Sequence, residues 1–387
     1  MMQRLAFVVT EDWAFWRHRL PTARAARDAG FEVHVITNVD QRAAAIAAEG
    51  FVLHHVDMKR GSLAPHHMLN AIRDIRAALA RIDPVLIHNV AIQPVVMGTL
   101  AAWKYNNIAV VNSINGLGSA FMVKSVRGSI LRGFLRRTLR VLHRGRKSRI
   151  IVQNPEDLAA LQEFGIAAGQ LVLVPGSGVE CDSLQPLDEP PPAPIYIAFV
   201  GRLLKDKGLR CLVRAHRLLR ARSCDTELLI AGEPDLENPS SITMAEYHAW
   251  AHEPGITCLG HVEDISDVWR RAHIAVLPSR GEGLPKCLLE AAACGRPMIA
   301  TDVPGCREIV IDGRTGFLVS VDDDVALADA IADLARDAEK RVRFGKAARA
   351  LTVERFSAGD IGAQTVAVYR GLLHTMPDQA TEERKVI

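Results

Sequence analysis

Two glutamates, Glu282 and Glu290, lie eight positions apart in the stretch Pro278 to Pro297, PSRGEGLPKCLLEAAACGRP. Carboxylates accept strongly from hydroxyl donors, so such a pair suits a ligand bearing adjacent sugar hydroxyls. Apolar Ile274, Ala275, Val276 and Leu277 read as a short buried strand just before it. A turn rich in Gly and Pro follows, and the pattern predicts a helix from about Leu284 to Cys294. Pro285 fits the first helical turn, where an N–H would have no intrahelical acceptor. The backbone N–H groups of Lys286 and Cys287 and the positive end of the helix dipole then face the mouth of the strand. That is an anion site, suited to a diphosphate. Glu282, on the turn, would reach a group beside the phosphates, and Glu290 a group further along the ligand. The alternative reading is a plain helix start with two solvated acids.

A second constellation lies upstream, in Phe199-Val200-Gly201-Arg202-Leu203-Leu204-Lys205-Asp206-Lys207-Gly208. It puts cations on a loop directly after an apolar run. Cations on such a loop, beside a helix N-terminus, suit a leaving group that gains negative charge. A solvated Arg/Lys loop is the alternative.

Together the two stretches resemble the retaining GT-B glycosyltransferases, family 4 in particular. The resemblance extends through Ala300-Thr301-Asp302-Val303-Pro304-Gly305-Cys306-Arg307-Glu308. It implies that Glu290 binds the ribose of a sugar nucleotide and that Glu282 lies beside the donor sugar. It further implies that Arg202 and Lys207 hold the donor diphosphate, with Gly201 in the same loop. Backbone groups of Gly283, Leu284, Pro285 and Lys286 would assist. Gly232, in Ala231-Gly232-Glu233, and His261 and Val262, in Gly260-His261-Val262, resemble the loops that frame the nucleotide base. One departure is Arg280-Gly281-Glu282, where related sequences more often place Arg directly before the Glu.

The N-terminal half carries weaker signals. Glu11, Asp12, His18 and Arg19 follow the first apolar run and resemble the EDW…HR opening of a bacterial subgroup that builds surface polysaccharides. They would line the acceptor side. A loop capping a helix, with Trp13 and Trp16 packed, explains the same residues. His88 ends a predicted strand, which would point it into a cleft as a candidate catalytic group. A satisfied core histidine is the usual alternative. Asn115, Gly116 and Gly118 belong to a loop similar to one on the acceptor side of the same subgroup.

These residues need a scaffold, and the chain supplies alternating elements. Short apolar runs such as Leu5–Val9, Val33–Ile36, Val85–Ile87 and Ile108–Val111 alternate with segments of helical period. This predicts an α/β fold with parallel sheets. Pro175 to Pro194, with its triple proline, reads as a linker, after which the rhythm restarts. The expectation is a GT-B arrangement of two doubly wound Rossmann-like domains facing a cleft. They would span residues 1–180 and 181–358. Residues 359–387 would form a C-terminal helix packing back on the N-terminal domain, and a loose tail. No G-x-G-x-x-G follows the first strand, which argues against a dinucleotide-dependent oxidoreductase.

Composition narrows the class. The 387 residues carry a net charge of +3, too small to argue for nucleic acid. Seven cysteines without a C-x-x-C pair read as thiols in a reducing compartment. No apolar run reaches the length of a membrane span, and the N-terminus is too short for a signal peptide. No metal or other cofactor is expected, and Asp322-Asp323-Asp324 reads as a capping run. Lys124 to Arg149 contains no acid and places leucines on one face and arginines on the rest. It reads either as an anionic-membrane contact or as a core-packed helix with a solvated basic face.

The reading that follows is a retaining transferase. It would move sugar from a nucleotide-sugar, a UDP-sugar, to a polyprenyl-diphosphate-linked saccharide. The site of action would be cytoplasmic, peripheral at the inner membrane, in O-antigen, capsule or exopolysaccharide synthesis. A GT-B epimerase, an inverting transferase and a non-catalytic assembly partner are the rivals.

Overall fold

The computed structural model describes residues 2–374 apart from 62–63, 106, 117–125, 144–146, 236–237 and 239. The chain divides into two compact units. The first comprises the described residues of Met1–Leu117, Lys124–Ser177 and Gly359–Ile387, and the second those of Gly178–Ala358.

The first unit holds seven parallel strands: β1 (Gln3–Glu11), β2 (Phe31–Asn38), β3 (Val52–His55), β4 (Leu86–Val90), β5 (Ala109–Ile114), β6 (Ser148–Val152) and β7 (Leu171–Leu173). Their order is β3-β2-β1-β4-β5-β6-β7. Central β1 and β4 are buried on both faces; β1 is accordingly apolar from Leu5 to Val9, while β4 buries the polar His88 and Asn89 as well. Helices Asp12–Asp28, Pro65–Ile82 and Ile92–Ala101 connect the strands. The last described helix, Ala358–His374, adds Ile361, Val366, Tyr369 and Leu372 to the same core as Leu5, Phe7, Phe15 and Phe31. Burying each such side chain contributes about 1.5–3 kcal/mol, so this late segment is an integral layer of the first unit.

The second unit repeats the plan with six parallel strands: β8 (Ile195–Val200), β9 (Thr226–Ala231), β10 (Ile256–Gly260), β11 (Ile274–Leu277), β12 (Met298–Thr301) and β13 (Gly316–Val319). Their order is β10-β9-β8-β11-β12-β13. In both sheets the chain adds three strands outward, then returns to the first strand and builds the other way. The reversal lies between β1 and β4 in one and between β8 and β11 in the other. Doubly wound sheets bind ligands outside the carboxyl ends of the strands at such a switch point.

Two sequence expectations shift. The helix after β11 runs Lys286–Ala293, and Pro285 is its N-cap in an extended conformation, φ −75° and ψ 110°. Proline disfavours the helical region for the residue before it, so Leu284 cannot open the helix. The helix closes instead through the Leu288 and Leu289 N–H groups, which donate to the Pro285 carbonyl. Strand β13, not read from the sequence, is a four-residue edge strand led by Gly316. An added Cβ there would lie 1.8 Å from the Met298 carbonyl oxygen. Among the described residues no helix is long and apolar enough to cross a membrane.

Candidate functional site

In the second unit, the two loops that leave the switch point are bonded to each other. The loop after β8 carries Gly201 and Arg202 outward, then anchors on buried Leu203 and Leu204. A single 3-10 turn, Lys205–Lys207, follows and ends at Gly208 with φ +74°. That conformation favours glycine, and a Cβ at Gly208 would sit 1.8 Å from the Pro278 carbonyl oxygen. The loop therefore presses backbone to backbone on the exit of β11. The Arg280 N–H and the Ser279 hydroxyl both donate to the Asp206 carbonyl, at 2.8 and 3.2 Å.

This zipper brings together two residues 75 positions apart: the Lys207 ammonium donates to Glu282 Oε1 at 2.6 Å. The side chains are 20% and 9% exposed. Burial works against the Lys207 charge. The adjacent, hydrogen-bonded Glu282 carboxylate more than offsets it and holds the ammonium above its usual range. The turn bearing Glu282 is clamped from the other side. The Gly305 N–H donates to the Glu282 carbonyl at 3.2 Å, and a Cβ at Gly305 would lie 2.4 Å from the Gly283 carbonyl oxygen. Thr301, at the end of β12, donates its hydroxyl to the Ser279 carbonyl. Asp206, Ser279, Thr301 and Gly305 thus fix the geometry, a role the sequence did not disclose. The chemical residues read as signal, and the backbone clamps around them did not.

Glu290 is buried, 5% exposed, on the second turn of the Lys286–Ala293 helix. Lys286 and Leu284 are half-buried and Arg202 is exposed. Gly232 and His261 sit at the neighbouring exits of β9 and β10. There the Gly232 N–H donates to the Gly260 carbonyl at 2.8 Å and the His261 N–H to Glu233 Oε1 at 3.1 Å. His261 is exposed and Val262 half-buried. The arrangement offers one ammonium, an exposed guanidinium and a helix N-terminus at the mouth of a parallel sheet, which is a field for a phosphorylated ligand.

The first unit uses its candidate residues differently. Asp12 is buried, and one of its oxygens accepts from the Asp40 and Arg42 N–H groups at 2.8 and 2.9 Å. It ties down the loop after β2. Glu11 lies 3.8 Å from Arg60, whose guanidinium covers the Trp13 ring at 5.6 Å. His18 is half-buried. His88 is fully buried: Nδ1 meets the Tyr369 hydroxyl and Nε2 the Ser113 hydroxyl, both at 2.6 Å. Burial, then the nearby Arg19 charge, push its imidazole well below the usual histidine range, so it is neutral. With both nitrogens engaged, His88 is a core histidine that links β4 to the last helix. The expectation of a catalytic group there finds no open nitrogen to support it.

Arg19 is 3% exposed and donates from Nη2 to Asn115 Oδ1 at 2.6 Å. Gln153 Nε2 donates to the same oxygen at 3.2 Å. Asn115 itself is exposed, Gly116 is half-buried, and Gly118 lies outside the described residues. Of the Lys124–Arg149 stretch, residues 124–125 and 144–146 lie outside the description, as do the side chains of 126–132, 134 and 135. The helix spans Val126–His143, with Leu139, Leu142 and His143 buried and Arg136 and Arg137 exposed. Arg140 donates to the Phe164 carbonyl from Nε and Nη2, at 3.2 and 2.8 Å. Asp323 accepts from the Ala326 N–H at 2.9 Å and caps the Asp324–Arg336 helix. Among the described residues no cluster of three His, Cys, Asp or Glu side chains is placed to hold a metal ion.

Two family models match the chain, one on each unit. Residues 4–154 match one described as Glycosyl transferase 4-like, and residues 194–337 one described as Glycosyl transferases group 1. Among related proteins is the capsular polysaccharide biosynthesis glycosyltransferase CapM of Staphylococcus aureus. It is 30% identical over 177 residues, 46% of this chain and 46% of that one. The match spans about half the length of that relative. The N,N'-diacetylbacillosaminyl-diphospho-undecaprenol alpha-1,3-N-acetylgalactosaminyltransferase of Campylobacter jejuni is 23% identical over 89% of this chain and 92% of that one. Among solved structures, Anabaena HepE in complex with UDP and glucose has a TM-score of 0.78 at 17% identity. It covers 96% of this chain and 100% of that one, a likeness of fold. With a family model on each of its two parallel sheets and this two-domain Rossmann-like architecture, the chain belongs to the GT-B, family 4-like glycosyltransferases.

Proposed function

We propose that the protein transfers a sugar from a nucleotide-sugar, a UDP-sugar, to a saccharide carried on a polyprenyl diphosphate, with retention of anomeric configuration. The observation that carries this reading is Lys207 locked on Glu282 at the switch point of the second sheet, beside the start of the Lys286–Ala293 helix. The bond that breaks joins the sugar's anomeric carbon to a phosphate oxygen, and the departing diphosphate gains charge. Lys207 and Arg202 meet that charge, together with backbone N–H groups that follow Leu284. Glu290 holds the ribose and Glu282 orients the donor sugar. The acceptor hydroxyl attacks on the face the phosphate leaves, and its proton goes to the leaving phosphate oxygen. His88 moves no proton in this scheme.

The relatives lend support. UDP is bound to HepE, a diphospho-undecaprenol is named in the Campylobacter transferase, and CapM is named for capsular polysaccharide. A lipid-linked acceptor would place the protein at the cytoplasmic face of the inner membrane, with the exposed arginines of the Val126–His143 helix toward anionic lipid. The chemistry is metal-independent, because cationic side chains and a helix end supply the charge a divalent ion otherwise would.

The test is transfer from a panel of UDP-sugars to polyprenyl-diphosphate saccharides, in excess chelator, with the product anomer read by NMR. Retention with activity intact is expected. Inversion, or activity lost to chelator and restored by Mg²⁺ or Mn²⁺, would refute the mechanism.

A further inference from the structure

Arg19 is a charge withdrawn from water with no counter-charge among the described residues. Its residue surface is 3% exposed, and its Nε has no hydrogen-bond partner among the described residues. Its Nη2 meets one neutral oxygen, Oδ1 of Asn115. None of the ion pairs among the described residues involves it. The titratable groups that face it, His88 and Tyr369, are uncharged, since burial holds the imidazole low and the phenol high. Burying a charge costs several kcal/mol unless a partner compensates, so an unpaired buried guanidinium calls for an anion.

The place for that anion is marked. Asn115 Oδ1 is the point where two donors from buried side chains converge, Arg19 Nη2 at 2.6 Å and Gln153 Nε2 at 3.2 Å. Gln153 is 7% exposed, so both donors are held by packing. The oxygen they share belongs to an exposed side chain, whose displacement costs the two hydrogen bonds it accepts, and an incoming anion replaces both. Asn115 and Gln153 follow the carboxyl ends of the adjacent strands β5 and β6, the face on which such sheets take ligands.

We propose that Arg19 and Gln153 form a phosphate-class anion site in the first unit, with Asn115 Oδ1 standing in for a phosphate oxygen. Resting on the transferase reading above, the ligand group is the diphosphate of the acceptor carrier. The site is distinct from Lys207 and binds its anion while the donor nucleotide is bound.

Thermal-shift titration with inorganic pyrophosphate, in chelator and with UDP already saturating, tests this. Pyrophosphate is expected to raise the wild-type midpoint further, since a ligand that binds only the folded state stabilises it. Farnesyl diphosphate should act alike, and vesicles of anionic phospholipid should not compete. Lys207→Ala should keep the second shift. Arg19→Gln should weaken pyrophosphate on the order of ten- to a hundredfold, the weight of hydrogen bonds to a charged group. Asn115→Asp guards against a folding defect in Arg19→Gln. It sets a carboxylate against Arg19, so it should raise the unliganded midpoint and abolish the pyrophosphate response. A wild type that responds to UDP but not to pyrophosphate would overturn the site and leave the transferase reading standing. A pyrophosphate response unchanged in Asn115→Asp would overturn it too. If UDP itself has no effect, the donor reading fails, and dependence of pyrophosphate binding on Asn115→Asp still decides this site.

Discussion

Lys207 and Arg19 are both cations drawn away from solvent near the carboxyl ends of a parallel sheet, and the two units treat them in opposite ways. Lys207 has its carboxylate at 2.6 Å, and the loops bearing the pair are bonded backbone to backbone. Arg19 has an amide oxygen and, among the described residues, no counter-charge. A paired cation keeps its position and its proton whether or not ligand is present, which is preorganisation. An unpaired one lowers the stability of the free fold and recovers it on binding. In the proposed scheme the second unit would meet charge that develops during reaction, and the first would hold charge that is already there.

Removing the second unit's cations should have the largest effect. Lys207→Ala and Arg202→Ala should each lower turnover by about 10²–10³, the usual loss for one contact to developing charge. Lys207→Ala also strands Glu282 in a half-buried turn and should lower the melting midpoint. Exposed Arg202 should not, so turnover and midpoint measured together separate chemistry from folding. Near-normal turnover in both variants would end the diphosphate assignment.

A smaller effect is expected on the basic helix of the first unit. Each basic residue near an anionic surface contributes on the order of 1 kcal/mol, screened within a Debye length. Reversing Arg136 and Arg137 to Glu should weaken flotation with anionic vesicles, and added salt should do the same. Arg140 is the wrong probe, because it holds the Phe164 carbonyl. Equal recovery with anionic and neutral vesicles would show that the helix serves packing alone, as buried Leu139 and Leu142 do.

The smallest effect is a pH dependence of stability. The folded-state pKa of His88 is depressed by burial and by Arg19. Its contribution is therefore full above the unfolded histidine pKa of about 6.5 and is lost as pH falls toward the folded value. His216 and His273, lowered chiefly by burial, act in the same direction. The wild-type midpoint should drop between pH 7.5 and 5.5, and His88→Gln should drop less. Identical slopes would contradict the neutral, doubly bonded imidazole.

The fold was legible because buried parallel strands are written as unbroken apolar runs, and the Glu282–Glu290 stretch because its chemistry is local in sequence. The helix start was misplaced by two residues, since Pro285 looks equally at home as N1 or N-cap until its ψ is known. Strand β13 escaped notice because four residues led by glycine carry no period. The first unit's candidate site was far less legible. Arg19 and Asn115 meet across 96 positions and His88 and Tyr369 across 281, and no spacing rule reaches that far. Asp12 read as a wall of the ligand site, but its carboxylate is occupied by two backbone N–H groups.

In the proposed scheme the donor's diphosphate sits at Lys207 and not at Arg19, and calorimetric titration of UDP tests this without knowledge of sugar or acceptor. Wild type should bind. Lys207→Ala should bind roughly ten- to a hundredfold more weakly, as expected for loss of a charge-assisted hydrogen bond. Arg19→Gln should match wild type. Equal UDP affinity in wild type and Lys207→Ala, or a loss in Arg19→Gln as large as in Lys207→Ala, would contradict the account.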